Sequence, residues 1–251
     1  DYKDGNQGIN SSKFGRDYTA NKFNFGETLN FQILKDLSLK VGAMWMYDEK
    51  LKEKYDQDFL QSPGNINKTR KASGYFNRVF KQTYNAVANY NLNIGQTHSL
   101  NALVGFEYYN EAKKGFSAEG SGAPTDGLKD LGLTASGANQ RSIDSWHEKK
   151  AILSYFGRVN YDYLGKYLLS ATLRHDGYSV LLGDNRWGTF PGVSVGWIFG
   201  REKFMENLQT IISFAKLRAS YGLNGNVSKI GAYELQGDYS TVSYGGLSGF
   251  Q

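Results

Sequence analysis

The amino-acid sequence predicts an all-β fold: an antiparallel transmembrane β-barrel segment with long extracellular loops and short periplasmic turns. Hydropathy alternates with a period of two residues through most of the 251-residue chain, whereas helical periodicity is almost absent. Short and long connections alternate between these segments, which is typical of outer-membrane barrels. Aromatic residues also recur along one strand at a spacing that matches the apolar band of such a barrel.

The alternation is clearest in residues 149–163. Odd positions from Ala151 to Tyr163 are apolar, aromatic or glycine, whereas the even positions include Arg158 and Asn160. Successive side chains of a strand point to opposite faces, so this segment has one apolar face and one polar face. The same pattern predicts seven more strands within 19–33, 37–47, 80–92, 99–111, 166–176, 187–197 and 214–224.

Short connections alternate with long polar ones along the chain. Residues 201–212 are an exception, because this connection lies on the short side and yet has twelve residues. Its Phe204, Leu208 and Ile211 or Ile212 have helical spacing, so we expect a short helix in that turn. The short connections lie near 34–36, 93–98 and 164–166, and the long ones near 51–72, 118–148, 178–187 and after Asn224.

Trp187 and Trp197 lie ten residues apart on the same face of one predicted strand. At about 3.3 Å per residue and a tilt of about 40°, this spacing spans roughly 25 Å along the membrane normal, the height of a lipid-facing band between two aromatic girdles. Pro191 between them removes one ladder donor, so we expect a bulge or a local bend there. The predicted lipid-facing girdle comprises Tyr161, Tyr163, Tyr167, Trp187 and Trp197.

The turn after residue 163 also predicts a register. Gly165 is expected to centre a three-residue turn at 164–166, because only an even sum of the paired residue numbers keeps like faces together. The predicted pairs are Tyr163 with Tyr167, Tyr161 with Leu169, Val159 with Ala171, and Arg158 with Thr172.

Composition and motifs exclude several functions. Cysteine is absent, which excludes disulfides, cysteine metal sites and thiol catalysis, and the three histidines are isolated in the sequence. Walker A, GxSxG and HExxH motifs are absent too, so we expect no enzyme activity, no metal site and no cofactor. The net charge of +5 is spread along the chain, without a dense basic block, which argues against nucleic acid as a partner.

Residues 154–199 resemble the SusC/RagA-type TonB-dependent outer-membrane transporters; their sequence is SYFGRVNYDYLGKYLLSATLRHDGYSVLLGDNRWGTFPGVSVGWIF. The segments EKFMEN at 202–207, KLRASYGLNGN at 216–226 and HSLNALVGFEY at 98–108 share this resemblance. One departure is YSVLLGDN at 178–185, where many members have a loop of the Ser-Ser-Arg-Phe-Gly type. The departure indicates a subgroup of the family.

The resemblance implies a bacterial outer-membrane location and the import of an oligomeric nutrient, a glycan or a peptide, without covalent chemistry. It implies a SusD-like surface lipoprotein as partner, TonB acting through an N-terminal part outside this chain, and contact with the lipid bilayer. A dimer of transporter–lipoprotein pairs is compatible with it. It also implies that residues 1–251 are part of the receptor's β-barrel domain, with the plug domain and the remaining strands outside this chain.

Four charged residues are candidates for substrate contact or a place in the barrel lumen: Arg158, Arg174, Asp176 and Arg186. The alternative for them is lumenal salt bridges that hold the plug or a neighbouring strand. Two other functions fit the residues as well. A passive porin-like channel has the same periodicity, and a plug and a TonB box upstream would exclude it. A soluble β-sandwich could bind carbohydrate through exposed aromatic residues, and solubility without detergent would favour it.

Overall fold

A computed structural model of the chain describes residues 14–62, 64–137, 140–208, 211–226, 230–231, 241–244 and 247–250. Most of them lie in β-strands. The strands are β1 (Phe14–Leu34), β2 (Leu37–Asp56), β3 (Phe59–Ser62), β4 (Asn65–Asn67), β5 (Lys71–Ile94), β6 (His98–Gly120), β7 (Arg141–Tyr163), β8 (Tyr167–Tyr178), β9 (Trp187–Trp197), β10 (Leu217–Gly222), β11 (Thr241–Tyr244) and β12 (Leu247–Phe250). The described helices are all 3-10 helices, at Leu131–Leu133, Gly183–Arg186, Phe199–Arg201 and Lys203–Leu208.

Eight of the strands form one sheet whose order, β1-β2-β5-β6-β7-β8-β9-β10, follows the chain. Each of these strands overlaps one of the eight segments that alternation predicts. β3 and β4 pair with each other inside the connection from β2 to β5, and β11 pairs with β12. β7, β8, β9 and β10 pair in antiparallel fashion. The prediction of an antiparallel all-β fold is therefore confirmed.

Short and long connections alternate from β1 to β9, as predicted, whereas the 19-residue connection from β9 to β10 breaks the alternation. Two or three residues separate β1 from β2, β5 from β6 and β7 from β8, and longer segments separate the strands between these pairs. Several strands, however, extend into segments that the sequence analysis assigned to loops, namely 51–56, 118–120 and 141–148. In 51–56 and 141–148 polar and charged residues occupy both faces, so hydropathy does not alternate, whereas main-chain hydrogen bonding continues regardless of side-chain polarity.

The hairpin of β7 and β8 has the predicted register. All four predicted pairs, from Tyr163 with Tyr167 to Arg158 with Thr172, are partners in the ladder. The turn places Leu164 and Gly165 at φ of 59° and 63°, a left-handed conformation that glycine adopts without steric cost. The Gly165 N–H donates to Asp162 Oδ1 at 2.7 Å, which holds the turn closed.

The bulge, one of the two alternatives predicted at Pro191, is absent from the ladder of β8 and β9. Residues of β8 and β9 pair without a shift, and Leu173 lies opposite Pro191. The Pro191 carbonyl accepts a hydrogen bond from the Leu223 N–H at 3.0 Å, so the main-chain polar groups of Pro191 face β10 rather than β8. The last ladder pair of β10 is Gly222 with Gly192, one residue before Leu223. The N–H that Pro191 lacks would therefore point to the place where β10 ends, and no hydrogen bond between β8 and β9 is lost.

The helical segment expected within 201–212 is present as two short 3-10 helices, Phe199–Arg201 and Lys203–Leu208. In this segment Phe204 is 63% exposed, whereas its neighbour Met205 is only 8% exposed. Within the described residues, no helix is long or apolar enough to cross a membrane.

The chain forms two compact units. In the first, Tyr55, Ala72 and Ala123 form a small apolar cluster with Leu131 against it. The second includes β8, β9 and β10 and the connections between them. The first unit takes the described residues of 1–25, 45–81 and 111–149, and the second those of 26–44, 82–110 and 150–251.

Candidate functional site

The sheet around β9 exposes its apolar face. Along β9 the odd-numbered residues are exposed and the even-numbered ones are half-buried, without exception. Val193 and Val195 on the odd face are 47% and 52% exposed. An antiparallel sheet in water covers its apolar face and exposes its polar face. The polarity here is inverted, as it is in a sheet whose apolar face meets lipid.

The opposite face carries a row of small polar side chains. Asn160, Ser170, Ser194 and Ser220 are partners in successive ladders across β7, β8, β9 and β10. The Ser170 hydroxyl donates to Asn160 Oδ1 at 2.7 Å, and Asn160 Nδ2 donates to the Asn101 side chain at 3.2 Å. The four residues of the row line a cavity of about 530 Å³. This cavity is the candidate binding site.

Two arginines give the cavity a positive charge. Arg158 and Arg218 both line it, and both side chains are exposed. In the part of the chain that the structure describes, neither has an ion-pair partner, and the cavity lining contains no carboxylate. Free guanidinium groups bind carboxylate, sulfate and phosphate through two parallel hydrogen bonds. The cavity can therefore bind an anionic or a hydroxyl-rich ligand.

Arg174 is bonded to its neighbours, in contrast to Arg158. Its Nε donates to Asp176 Oδ1 at 2.8 Å, and its Nη2 donates to Glu107 at 3.3 Å and to Ser154 Oγ at 2.8 Å. Ser154 is completely buried, and the guanidinium lies 5.5 Å from the centre of the Phe156 ring. These contacts join β6, β7 and β8. Exposed ion pairs contribute about 0–1 kcal/mol each, so the cluster mainly fixes the position of Arg174.

The structure brings three of the four candidate residues together. Arg158, Arg174 and Asp176 line a second cavity, of about 630 Å³, on the same polar face. Arg186 lies apart in the 3-10 helix Gly183–Arg186 of the β8–β9 connection, where its Nε donates to the Leu181 carbonyl at 3.2 Å. Sequence reasoning did not single out Glu107 or Ser154. The predicted register pairs Ser154 with Asp176, so it could have indicated that the serine lies beside the candidate residues.

Four of the five predicted girdle residues lie at one end of the strands. Tyr163 pairs with Tyr167, and Tyr167 pairs with Trp197 on β9. The Tyr163 and Tyr167 rings are 6.2 Å apart, and the His98 ring lies 5.0 Å from that of Tyr163. Tyr161 in the next row forms a hydrogen bond of 2.7 Å between its hydroxyl and His98 Nδ1. Together these side chains form a continuous aromatic cluster.

Glu202 connects this aromatic cluster to the β9–β10 connection. Its carboxylate accepts hydrogen bonds from the Tyr167 hydroxyl at 2.8 Å, Trp197 Nε1 at 3.2 Å and Lys166 Nζ at 3.0 Å. These three donors hold the pKa of Glu202 below its usual value of 4.5, the Tyr167 hydroxyl having the largest effect. Sequence reasoning missed Glu202, although the EKFMEN segment begins with it.

Trp187 marks the other end of β9. Its ring stacks on His175 at 4.8 Å with an interplanar angle of 7°. It also covers Gly177, where a Cβ would come within 2.7 Å of the indole. Trp187 and Trp197, the two predicted aromatic levels, both occupy exposed odd positions of β9.

A further cluster that sequence reasoning missed lies in the first unit. Arg70, at φ of 41°, donates to Asp126 Oδ1 at 2.8 Å and to Asp58 Oδ2 at 3.0 Å. The Tyr55 hydroxyl donates to the Thr125 carbonyl at 3.0 Å. These bonds link the connection that follows β2 to the one that follows β6. No group of three or more His, Asp or Glu side chains that could hold a metal ion occurs among the described residues.

An exposed apolar face, aromatic side chains near both ends of β9 and a polar opposite face define an antiparallel sheet of the outer-membrane type. A family model described as "TonB dependent receptor-like, beta-barrel" matches residues 1–248. The chain therefore belongs to the TonB-dependent receptor β-barrel family.

Curated relatives support this assignment. TonB-dependent receptor P26 of Formosa agariphila is 34% identical over 148 residues, which are 59% of this chain and 15% of the relative. TonB-dependent receptor SusC of Bacteroides thetaiotaomicron is 30% identical over 174 residues, 66% of this chain and 16% of SusC. TonB-dependent receptor P39 of Formosa agariphila is 27% identical over 254 aligned residues, 94% of this chain and 22% of the relative.

The chain thus spans about a sixth to a fifth of the length of these relatives. A solved structure titled "Structure of the RagAB peptide transporter" matches its fold with a TM-score of 0.82 at 21% identity, over 96% of this chain and 26% of that chain. The predicted SusC/RagA type and the outer-membrane location are confirmed. The family is not an enzyme family, which agrees with the prediction for this chain.

Proposed function

We propose that the protein containing this chain imports an oligomeric nutrient, a glycan or a peptide, across the outer membrane with energy supplied through TonB. The inverted polarity of the sheet around β9 carries the membrane-spanning part of this proposal, because exposed valines on one face and a polar cavity on the other suit a sheet between lipid and a wet lumen. Membership of the TonB-dependent receptor family supports the coupling to energy.

In this proposal residues 1–251 form part of the barrel wall, and the plug domain lies in another part of the protein. The odd face of β8 and β9 meets lipid, with Tyr161, Tyr163, Tyr167, Trp187 and Trp197 as its girdle. The even face meets the lumen. The relatives named SusC and RagAB support a SusD-like lipoprotein as partner, and a dimer of such pairs remains part of the proposal.

Arg158 is the residue that we propose for substrate contact, because its guanidinium lines the polar cavity and has no ion-pair partner among the described residues. Arg174 and Asp176 are proposed as structural residues, because their groups bond to each other and to neighbouring strands. Arg186 is assigned to the extracellular loop between β8 and β9. Its contact with substrate would need the loop to face the entrance of the barrel.

Energy coupling is tested in the full-length protein in its own organism. The TonB box is deleted, arrival of the barrel in the outer membrane is verified, and growth on candidate glycans and peptides is compared with that of the unaltered strain. We expect loss of growth on the substrate that requires the gene. Undiminished uptake would mean that the protein is a passive channel, the second candidate function.

The role of Arg158 is tested by Arg158→Gln, with Arg174→Gln as the contrasting variant. Arg158→Gln is expected to lower uptake several-fold while the amount and the thermal midpoint of the folded barrel stay unchanged. Arg174→Gln is expected to lower the thermal midpoint, because it leaves Asp176 and Glu107 without their common partner. Unchanged uptake by Arg158→Gln would contradict its assignment.

A further inference from the structure

The β9–β10 connection exposes large apolar side chains. In the 3-10 helix Lys203–Leu208, Phe204 is 63% exposed and Leu208 is 44% exposed. Phe and Leu side chains lower their free energy when they leave water, so exposure of these side chains to water is unfavourable. The described part of the connection is nevertheless held in place: Met205 is buried, and the Gly200 N–H donates to the Ala215 carbonyl at 3.0 Å. A fixed segment that exposes apolar side chains calls for a surface that covers them.

The exposed side chains continue the aromatic cluster at the end of β9. Phe204 lies edge-on to Trp197, with the ring centres 6.3 Å apart, and Phe199 contacts Trp197 at 5.7 Å. Trp197 belongs to the exposed odd face of β9. The environment that surrounds the Trp197 ring therefore also surrounds Phe204.

The charges of this segment fit a phospholipid surface. Lys203 precedes Phe204 directly, is exposed, and has no ion-pair partner within the described residues. Glu202 is directed to Lys166, Tyr167 and Trp197, and Glu206, one 3-10 turn after Lys203, forms no ion pair with it in the described structure. A free cation next to exposed apolar and aromatic side chains is the arrangement of segments that lie in the headgroup layer of a bilayer.

We propose that the 3-10 helix Lys203–Leu208 lies in the membrane interface, with the Phe204 and Leu208 side chains among the lipid headgroups and upper acyl chains and Lys203 at the phosphates. The leaflet is the periplasmic one, because this connection lies on the side of the short turns. The inference rests on the proposed lipid-facing assignment of the odd face of β9. It gives the connection a role beyond that of a link between two strands.

The absence of cysteine from this chain makes a labelling experiment direct. The full-length protein, with any cysteine elsewhere replaced by serine, is reconstituted into vesicles of phosphatidylethanolamine and phosphatidylglycerol. A nitroxide is attached to Phe204→Cys or Leu208→Cys. Glu206→Cys on the same 3-10 helix is the matched aqueous control, and Val193→Cys on β9 is the lipid reference. Collision of each label with oxygen, which concentrates in lipid, and with a nickel chelate, which stays in water, is then measured.

We expect labels at 204 and 208 to favour oxygen over nickel several-fold more than the label at 206. A label at 204 that is as accessible to nickel as the label at 206, while the label at 193 favours oxygen, overturns the inference and leaves the lipid face intact. If the label at 193 also favours nickel, the lipid face itself is wrong and the inference falls with it. Protection of the label at 204 from both reagents would mean that a protein surface, such as a second copy, covers this segment, and it would overturn the inference too.

The contribution of Lys203 is measured with the label at 204. Vesicles without phosphatidylglycerol should place this label nearer to water, and Lys203→Gln should remove that dependence on lipid charge. Lys216→Gln, a change of another exposed lysine on the same connection, is the matched control and should leave the dependence in place. A depth that does not respond to lipid charge in the unaltered protein would remove Lys203 from the proposed contact.

Discussion

Ala171 and Thr172 are neighbours in β8 that face opposite sides of the sheet. Ala171 pairs with Val159 and Val193 on the exposed apolar face, about midway between the levels of Trp187 and Trp197. Thr172 lies on the polar face and lines both cavities. Two adjacent residues of similar size thus report on the two environments that we assign to the sheet.

Arginine at Ala171 is expected to destabilise the full-length protein in lipid by about 2–4 kcal/mol, because it places a charge at the midplane of the bilayer. Thr172→Arg is the matched control and is expected to cost clearly less, because its side chain enters a wet cavity. Folding yields and reversible unfolding in vesicles measure both variants. Equal losses for the two variants would contradict the assignment of the faces.

Glu202 makes the anchoring of the β9–β10 connection sensitive to acid. Its pKa is lowered in the folded state by hydrogen bonds from Tyr167, Lys166 and Trp197. A lowered folded-state pKa means that its stabilisation is complete above the usual value of 4.5 and is lost as the pH falls through the folded-state pKa. We expect Glu202→Gln to weaken the anchor at pH 7 and to remove its acid sensitivity.

Hydrogen exchange of peptides covering 198–208, corrected for the intrinsic effect of pH, measures this anchor. Protection in the unaltered protein should decrease when the pH is lowered below 4.5. Protection in Glu202→Gln should be low both at pH 7 and below pH 4.5. The exposed Glu206 on the following 3-10 helix provides the control substitution, Glu206→Gln, which should behave like the unaltered protein. Acid sensitivity that persists in Glu202→Gln would assign the effect to another group.

At the level of elements, Pro191 limits the length of β10. Its carbonyl accepts from Leu223, but its nitrogen has nothing to donate in return, and the ladder ends at Gly222. Pro191→Val supplies the missing N–H and should extend the pairing of β9 with β10 by one residue, with a gain of about 0.5–1.5 kcal/mol for the added hydrogen bond. Slow hydrogen exchange of the new amide at 191 would verify the bond, and exchange as fast as that of an open strand edge would refute it.

The elements also show where sequence reasoning succeeds and where it stops. The β7–β8 register could be predicted because Gly165 fixes the turn and one face of the hairpin is apolar. A slip of one residue would move every side chain to the opposite face of the sheet. The strand at 141–148 could not be predicted, because main-chain pairing there has no counterpart in hydropathy. The bonds of Arg70 to Asp58 and Asp126 join residues distant in sequence, which neither periodicity nor motif brings together.

At the level of the whole molecule, the residues that the structure describes lack the apolar core of a water-soluble domain. The described part buries few hydrophobic side chains: Tyr55, Ala72, Ala123, Val180, Ile198 and Met205. Far more are exposed, among them Val193 and Leu217. The 251-residue chain alone is expected to sediment as aggregates in buffer and to disperse only in detergent. A monodisperse chain without detergent, measured by analytical ultracentrifugation, would favour the soluble carbohydrate-binding β-sandwich instead.

The length of β5 has a consequence for how the family can diversify. β5 has 24 residues, whereas a strand needs only about 9–11 to cross the apolar layer of a membrane. More than half of it is therefore free of the demand for lipid-compatible side chains. Because main-chain bonds hold the strand in its ladder, side chains in that portion can be exchanged during evolution without loss of the framework. Selection for new ligands or partners can then act on a rigid scaffold that tolerates mutation.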